Sequence, residues 1–300
     1  MSIAQEPPPL EMRRLTKYYG SHVGVQELDL AVNVGEVLGF LGPNGSGKTT
    51  TIRMLVGLLK PTSGEARVLG RDVFLESVSV RRRIGYLPGD VALYGERTGN
   101  DLLRLALRVR RMSEAPLAAE LADALGAPMD RRVKKLSRGM RQKVALVLTL
   151  AHDPDVLVLD EPTSGLDPLA QRALLDILDR AGQRGKTVFF SSHILSEAEQ
   201  ICDRVAILRE GRLIVQDKVE RLREQKYKEV MLAYSGPPPD LEGLDGIQMV
   251  WKHEGRLTFR VRGDIGRLMA LLQGCAIEDL TISEPSLEEV FLDYYRGDAT

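Results

Sequence analysis

The chain has 300 residues, of which 43% are hydrophobic and 28% charged, and its net charge at neutral pH is −1. This length suffices for one large domain or two modest ones, each burying its own core. The near-neutral charge argues against general nucleic-acid binding, which requires a clear basic excess. Cys202 and Cys275 are far apart and form no CxxC pair, which is typical of a protein in a reducing cytosol.

No segment for export or membrane insertion is predicted. The start of the sequence, MSIAQEPPPL, lacks the charged and apolar regions of a signal peptide. No apolar run approaches the ~20 residues that a membrane-spanning helix needs. We therefore expect that the chain cannot span a membrane alone.

Strand-like and helical patterns alternate along most of the chain. Apolar runs with strand character lie at residues 10–15, 28–34, 36–41, 66–69, 84–87, 156–160, 187–191 and 205–208. Helical periodicity lies at residues 52–59, across about 98–150, and at 169–181. This alternation predicts an α/β sheet that is covered on both faces.

The composition changes after about residue 224, and a smaller α+β unit is predicted there. Its predicted elements are a turn at residues 235–239, a hairpin over 251–261, an amphipathic helix at 265–272, a strand at 277–282 and a last helix at 287–295. We therefore predict two domains, residues 1–224 and 225–300.

The strongest local signal is a phosphate-binding loop. Residues 42–49, GPNGSGKT, match the pattern GxxxxGK[ST] in full, with a strand before them and a helix after them. Glycines let successive N–H groups point at a phosphate chain, and the helix N-terminus adds its positive dipole. Lys48 can reach the β- and γ-phosphates, and the Thr49 hydroxyl can ligate Mg²⁺. The predicted nucleotide contacts are Gly42, Pro43, Asn44, Gly45, Ser46, Gly47, Lys48, Thr49 and Thr50.

Two carboxylates follow the apolar run at residues 156–160. Such a run predicts a buried parallel strand, whose carboxyl end is where these sheets bind ligands. Asp160 is predicted to hold Mg²⁺ through water, and Glu161 to orient or deprotonate a water molecule. The alternative is a pair of acids that merely caps the strand end.

A second anion-binding signal lies in residues 136–142, LSRGMRQ. A hydroxyl, a glycine amide and a helix dipole together make an anion site. Taken with the phosphate loop and the carboxylates, this segment resembles the LSGGQ signature of the ATP-binding subunits of ABC transporters. The resemblance implies that Ser137 and Gly139 contact the γ-phosphate held by an opposite subunit. Arg138 and Met140 depart from the family pattern, which has a glycine and a glutamine at these positions.

Three further positions are assigned by this resemblance. Asp167, in the segment SGLD, is similar to the family's D-loop at the dimer interface. His193, in the segment SSH, is similar to its switch histidine, whereas alone it would be interpreted as an ordinary surface or core histidine. Tyr19 is the choice for the adenine-stacking aromatic, with Tyr18 as the alternative.

One family motif is missing, and the tail adds a clue to the branch. The family usually has a glutamine where this chain has Gly89, so either Asp90 substitutes or coupling to the membrane subunit runs through backbone and water. Residues 284–291, EPSLEEVF, look like the ending of subunits from drug- and antibiotic-resistance exporters, whose permease is a separate polypeptide.

The resemblance implies a P-loop NTPase fold of the ABC ATPase type, with an inserted helical subdomain at about residues 90–150. It implies an ATP hydrolase that uses ATP and Mg²⁺, with Lys48, Glu161 and His193 as catalytic residues. The partners would be a second copy of the chain, head to tail, and a permease that exports drug-like or amphipathic small molecules, with this subunit at the cytoplasmic face of the cell membrane. The alternatives are an importer subunit and a soluble ABC-type ATPase that acts on nucleic acid or the ribosome.

Overall fold

The computed structural model describes residues 7–224, 228–237, 239, 241, 247–253, 255–261 and 265–283. The chain divides into two compact units, Met1–Asp217 and Lys218–Thr300. This division lies slightly earlier than the composition change near residue 224. In the described part of the chain, no helix combines the length and the apolar character that crossing a membrane would need.

The first unit is built on two sheets. A four-stranded sheet has the order β2-β1-β4-β5, made of β1 (Leu10–Tyr19), β2 (His22–Val32), β4 (Ser63–Val68) and β5 (Arg71–Asp72). A six-stranded sheet has the order β10-β9-β3-β8-β7-β6, made of β3 (Val37–Leu41), β6 (Ile84–Leu87), β7 (Val156–Asp160), β8 (Thr187–Ser192), β9 (Arg204–Arg209) and β10 (Arg212–Lys218). Neighbours from β9 to β6 pair in parallel.

The sequence predicted one sheet, and the separate antiparallel sheet is a correction. Its strands pair antiparallel, and β1 and β2 mix buried with exposed residues, as strands with one solvated face do. In contrast, every residue of β3, β7 and β8 is buried, as expected for central parallel strands.

Seven α-helices of the first unit are described: α1 (Lys48–Leu55), α2 (Ser77–Arg83), α3 (Gly99–Arg110), α4 (Ala118–Leu125), α5 (Arg138–Leu150), α6 (Pro168–Gln183) and α7 (Leu195–Ile201). The helix predicted at residues 52–59 begins earlier, because Gly47 at its N-terminus takes a left-handed φ of 107° that starts the helix directly after the loop. The sequence patterns did not predict α2 or α7. Thr98 and Asp101 form a capping box that begins α3.

The parallel sheet is covered on both faces, as predicted. Val158 and Phe189 pack on one side in the cluster that also holds α1 and the antiparallel sheet. Leu159 and Phe190 pack on the other side with α4, α5 and α6. Because neighbouring residues of one strand point to opposite faces, each strand is anchored in both layers, and the strand ends that carry polar side chains are held rigidly.

The second unit is a small α+β arrangement. Its described elements are α8 (Val219–Glu224), β11 (Lys228–Ser235), β12 (Ile247–His253), β13 (Arg256–Val261), α9 (Ile265–Leu272) and β14 (Ala276–Ser283). The strands form a sheet in the order β12-β13-β11-β14, and its core includes Val230, Phe259 and Leu268. The predicted hairpin, helix and strand are confirmed, whereas the helix predicted at residues 287–295 lies outside the described residues.

Candidate nucleotide-binding and hydrolysis site

The phosphate loop joins β3 to α1 at the carboxyl end of the parallel sheet. Gly42 has a φ of 154°, and a Cβ atom there would lie 2.4 Å from the carbonyl oxygen of Leu208. Gly47 is equally constrained, since its Cβ would lie 2.5 Å from the carbonyl oxygen of Gly24. Both positions therefore require glycine, and the loop takes the curled path that the sequence pattern predicts.

Lys48 is buried at the centre of this loop. Its Nζ donates hydrogen bonds to the carbonyl oxygens of Gly42, at 2.6 Å, and Pro43, at 3.1 Å. Burial lowers the pKa of Lys48, and the nearby charge of Glu161 partly opposes that shift. Ser46 Oγ is also buried, and it has no hydrogen-bond partner among the described residues. The loop therefore holds a buried cation and an unpaired hydroxyl close to its backbone amides, a combination that suits a phosphate group.

Four predicted residues meet in what we call the carboxylate cluster: Lys48, Asp160, Glu161 and His193. Glu161 Oε1 lies 3.7 Å from Lys48 Nζ, and Glu161 Oε2 lies 3.0 Å from His193 Nδ1. Glu161 has a left-handed φ of 47°, which is unusual for a residue other than glycine. Such backbone positions are frequent at functional sites, where surrounding contacts hold them.

Asp160 is the most buried carboxylate of the cluster, with 1% of its surface exposed. Its Oδ1 accepts a hydrogen bond of 2.6 Å from Ser191 Oγ, on the neighbouring strand β8. Its Oδ2 is buried and has no hydrogen-bond partner among the described residues. Gly89 lies beside that oxygen, because a Cβ atom on Gly89 would be 3.1 Å from Asp160 Oδ2.

The donor set suits Mg²⁺ bound together with nucleotide phosphates. The described residues contain no group of three or more His, Cys, Asp or Glu side chains that could hold a metal by themselves. Mg²⁺ is usually held by one or two protein ligands, while phosphates and water supply the rest. The unpaired Oδ2 of Asp160 and the exposed Thr49 in the first turn of α1 fit that pattern.

The signature segment, residues 136–142, begins α5. Ser137 caps the helix, with its Oγ accepting a hydrogen bond of 3.3 Å from the Met140 amide. A Cβ atom on Gly139 would lie 2.4 Å from the carbonyl oxygen of Gly165, so only glycine allows this approach. Arg138, which replaces a family glycine, donates from Nη2 to Ser164 Oγ at 3.5 Å. The signature segment therefore lies directly on the loop that contains the predicted D-loop.

Asp167 ends that loop and caps α6. Its Oδ1 accepts a hydrogen bond of 3.0 Å from the Ala170 amide, and its Oδ2 lies 2.7 Å from Lys143 Nζ. The hydrogen bond from Lys143, followed by that from Ala170, lowers the pKa of Asp167. These contacts give Asp167 a structural role within the chain, and its contact with nucleotide stays a prediction.

The predicted stacking aromatic, Tyr19, is half exposed at the end of β1. Its ring rests over Gly24, since a Cβ atom on Gly24 would lie 2.9 Å from Tyr19 Cε2. Gly24 in turn contacts Gly47 of the phosphate loop through its carbonyl oxygen. Tyr19 therefore lies on the side of the phosphate loop, as a base-stacking residue must. Its role and that of the alternative, Tyr18, stay predictions.

Two buried side chains at this edge were not given a role by the sequence patterns. Ser191 contacts both carboxyl-bearing residues, because it also accepts a hydrogen bond of 3.0 Å from the Glu161 amide. Gln142 Nε2 donates to the carbonyl oxygen of Pro162 at 3.0 Å, which ties the signature helix to the loop after β7. Neither residue type marks a site in sequence, since each acts through a partner that is distant along the chain.

The fold and the site define the class of the protein. A phosphate loop at the end of a central parallel strand, with an acidic pair at the end of another parallel strand, is the arrangement of a P-loop nucleoside triphosphatase.

Comparisons with known proteins give the family. The family model for ABC transporters matches residues 25–164. The bacitracin transport ATP-binding protein BcrA of Bacillus licheniformis is 35% identical, over 94% of this chain and 96% of that protein. The Nod factor export ATP-binding protein I of Burkholderia orbicola is 38% identical, over 97% of each chain. The chain therefore belongs to the ATP-binding proteins of ABC transporters.

Solved structures agree with this assignment. The structure of an ATP-binding subunit of an ABC transporter is 33% identical, with a TM-score of 0.66 over 72% of this chain and 92% of that chain. The dimeric structure of a bacterial ABC transporter cassette is 23% identical, with a TM-score of 0.63 over 70% of this chain, and it supports the fold alone. The predicted fold class is confirmed, and the chain is an ATP-binding subunit that couples ATP hydrolysis to transport.

Proposed function

We propose that this subunit powers the export of drug-like or amphipathic small molecules through a separate membrane-spanning permease, at the cytoplasmic face of the cell membrane. The observation that carries the proposal is the near full-length similarity to proteins named for bacitracin transport and Nod factor export. A probable multidrug ABC transporter ATP-binding protein of Escherichia coli, YbhF, supports it further, with 38% identity over 72% of this chain and 38% of that protein.

The carboxylate cluster is proposed to hydrolyse ATP with Mg²⁺ as the cofactor. Lys48 binds the β- and γ-phosphates once these replace its contacts with the loop carbonyls. Glu161 orients the attacking water and accepts its proton, while His193 holds the Glu161 carboxylate from the opposite side. Thr49, and Asp160 through water, would hold Mg²⁺, which would supply positive charge to the phosphate oxygens.

A second copy of the chain is proposed to complete each site. Ser137 and Met140 are exposed, and the N-terminus of α5 presents its amides beside them. A helix N-terminus with an exposed hydroxyl is suited to bind the γ-phosphate of an ATP molecule held by another copy. Two copies in a head-to-tail pair would give two equivalent sites.

The permease is proposed to contact a groove of about 470 Å³ in the first unit. Apolar side chains of α2, α3, β6 and the segment after α1 line it, together with Arg81, Arg82 and Arg110. Leu58 and Val109 are 59% and 67% exposed, as expected of a surface that a partner covers. Three arginines on one apolar groove favour an amphipathic partner segment that carries acidic residues. Its lining includes Tyr86 of β6, the strand that leads to Gly89 beside Asp160.

The test is purification of the tagged chain from its native membranes, with identification of the bound proteins. We expect a polytopic permease, and an ATPase activity of the complex that amphipathic drugs stimulate. Arg82→Glu should release the permease, whereas Arg83→Glu on the same helix should not, because Arg83 lies outside the groove and pairs with Asp155 at 2.8 Å. A solute-binding protein in the complex would indicate an importer, and ribosomes without a permease would refute the proposal.

A further inference from the structure

We propose that Ser191 is a positioning residue for ATP hydrolysis, which holds Asp160 and Glu161 in their working arrangement. The inference rests on the catalytic roles proposed above for these two residues. Ser191 itself touches no nucleotide in this proposal, because it acts through the two carboxyl-bearing residues. A single hydroxyl group at the meeting point of two strands carries both contacts.

The contact with Asp160 follows from the strand register. Asp160 on β7 pairs in parallel with Ser191 on β8, so the two side chains meet at the carboxyl edge of the sheet. Ser191 is fully buried, and its Oγ donates a hydrogen bond of 2.6 Å to Asp160 Oδ1. A hydrogen bond of this length to a carboxylate is charge-assisted and strong. This hydrogen bond occupies Oδ1. The other oxygen, Oδ2, lies beside Gly89 and has no hydrogen-bond partner among the described residues, so it is available to bind Mg²⁺ through water.

In the contact with Glu161, the same hydroxyl oxygen acts as an acceptor. The Glu161 amide donates to Ser191 Oγ at 3.0 Å. The hydroxyl thus donates its one proton to Asp160 and accepts from the Glu161 amide, and the two bonds together fix its orientation. Glu161 takes an unfavourable left-handed backbone at this point, and the bond to Ser191 helps to hold it there. That backbone turn is what directs the Glu161 carboxylate between Lys48 and His193.

The adjacent Ser192 provides a matched control. It is also buried, and its Oγ also donates a 2.6 Å hydrogen bond to a carboxylate, in this case Glu197 of α7. It accepts a hydrogen bond of 2.9 Å from the Ile194 amide. The two serines are therefore alike in burial and bonding, but the carboxylate that Ser192 holds belongs to α7 and not to the carboxylate cluster.

The experiment compares Ser191→Ala, Ser191→Thr and Ser192→Ala in the full chain. For Ser191→Ala we expect kcat to fall about 10- to 100-fold with little change in KM for ATP, the range for losing a group that orients a ligand or metal donor. A second readout is equilibrium binding of a fluorescent ATP analogue with Mg²⁺ and with EDTA. The variant should need several-fold more Mg²⁺ for half-maximal enhancement of binding, while binding in EDTA is unchanged. Ser191→Thr retains the hydroxyl, so its kcat and its Mg²⁺ requirement should be close to those of the wild type.

Ser192→Ala should lower the melting temperature about as much as Ser191→Ala does. It should change neither kcat nor the Mg²⁺ concentration needed for half-maximal enhancement of nucleotide binding. If Ser191→Ala does not fold, Ser191→Cys keeps the volume and replaces the hydroxyl by a weak donor, and the same two losses are expected. Equal kinetic behaviour of the Ser191 and Ser192 variants, or an unchanged Mg²⁺ dependence in Ser191→Ala, would overturn the proposal. Normal hydrolysis by Glu161→Gln would instead refute the role of Glu161, so the two failures are distinguishable.

Discussion

The carboxylate cluster and the signature segment both serve phosphate chemistry in the proposed mechanism, but they differ in how the folded chain treats them. In the cluster, Lys48 and Asp160 are buried, and Glu161 is contacted by Lys48, His193 and Ser191. In the signature segment, Ser137 is exposed, and among the residues that the structure describes its hydroxyl hydrogen-bonds only to the start of its own helix. One region is assembled by the fold, whereas the other is presented at the surface.

This difference is consistent with the two roles proposed, hydrolysis by the carboxylate cluster and binding of another copy's ATP by the signature segment. A hydrolytic carboxylate must be oriented before the substrate arrives, and buried neighbours provide that orientation. An anion site that closes on ATP from another copy has to stay accessible until the copies meet. The cluster is therefore expected to tolerate no polar change, while changes in the signature segment should be separable from folding and from binding of ATP.

The largest expected effect is that of Glu161→Gln, which changes the carboxylate cluster and leaves the signature segment intact. The amide keeps the shape of the side chain but cannot accept a proton, so hydrolysis should fall about 10²- to 10⁴-fold while ATP still binds. Steady-state phosphate release and equilibrium nucleotide binding measure the two properties. Glu197→Gln is the control, because Glu197 is a buried carboxylate of α7 that pairs with Ser192. Hydrolysis by Glu161→Gln at a rate near that of the control would remove Glu161 from the mechanism.

The next effect tests whether the signature segment acts on another copy. In Gly139→Val the side chain would collide with the Gly165 carbonyl oxygen, which lies 2.4 Å from the Cβ position. Loss of the amide contact to phosphate should reduce hydrolysis about 10²-fold, as loss of one preorganised donor does.

Mixing this variant with Glu161→Gln sharpens the comparison. In a head-to-tail pair of unlike chains, one site contains both defects and the other contains none. Random pairing should therefore recover about a quarter of the activity, because half of the pairs carry one intact site. Sites formed within single chains would recover nothing on mixing, and that outcome would contradict the two-chain arrangement.

A third and smaller effect separates binding from chemistry within the cluster. Lys48→Met removes the buried ammonium that now holds the carbonyl oxygens of Gly42 and Pro43. Because charge-assisted contacts to phosphate are lost, ATP affinity should fall about 10- to 100-fold. Equilibrium titration with ATP measures this. Lys186→Met is the control, since Lys186 is partly buried and pairs with Asp153 at 3.2 Å. An unchanged affinity would show that the backbone of the loop suffices.

Sequence reasoning reached the cluster and the signature segment for different reasons. The phosphate loop is local, because the glycines and Lys48 that build it lie within a few positions of one another. The acidic pair was recognisable since an entirely buried strand ends in it. His193 was assigned only through the resemblance to a family, and the structure then places its Nδ1 at 3.0 Å from Glu161.

What sequence reasoning missed depends on contacts between distant segments. The role of Ser191 arises from the parallel register of β7 with β8, which no local pattern reveals. The separate antiparallel sheet was missed because the short apolar runs of its strands resemble those of the central sheet. The link between Gln142 and Pro162 was missed for the same reason as Ser191, because it joins positions far apart in the chain.

The smallest expected effect concerns the ion pair that connects the two regions. Lys143 belongs to the signature helix, and Asp167 belongs to the loop that follows the acidic pair; their charged atoms lie 2.7 Å apart. Asp167→Asn keeps an oxygen for the Ala170 amide but loses the charge, so the melting temperature at neutral pH should fall on the order of 1 °C. Asp179→Asn, on the same helix, is the control.

The lowered pKa of Asp167 determines how the stabilisation by this ion pair changes with pH. The contact with Lys143 holds the pKa of Asp167 below its ordinary value of 3.8. A carboxylate whose pKa is lowered by folding stabilises the folded state above the unfolded value, and that stabilisation is lost as the pH falls through the folded value. The difference in melting temperature between the wild type and Asp167→Asn should therefore be constant above about pH 5 and shrink below it. A difference that persists unchanged into acid would mean that the ion pair contributes nothing, and that the link between the two regions is made by Gln142 and the close approach at Gly139.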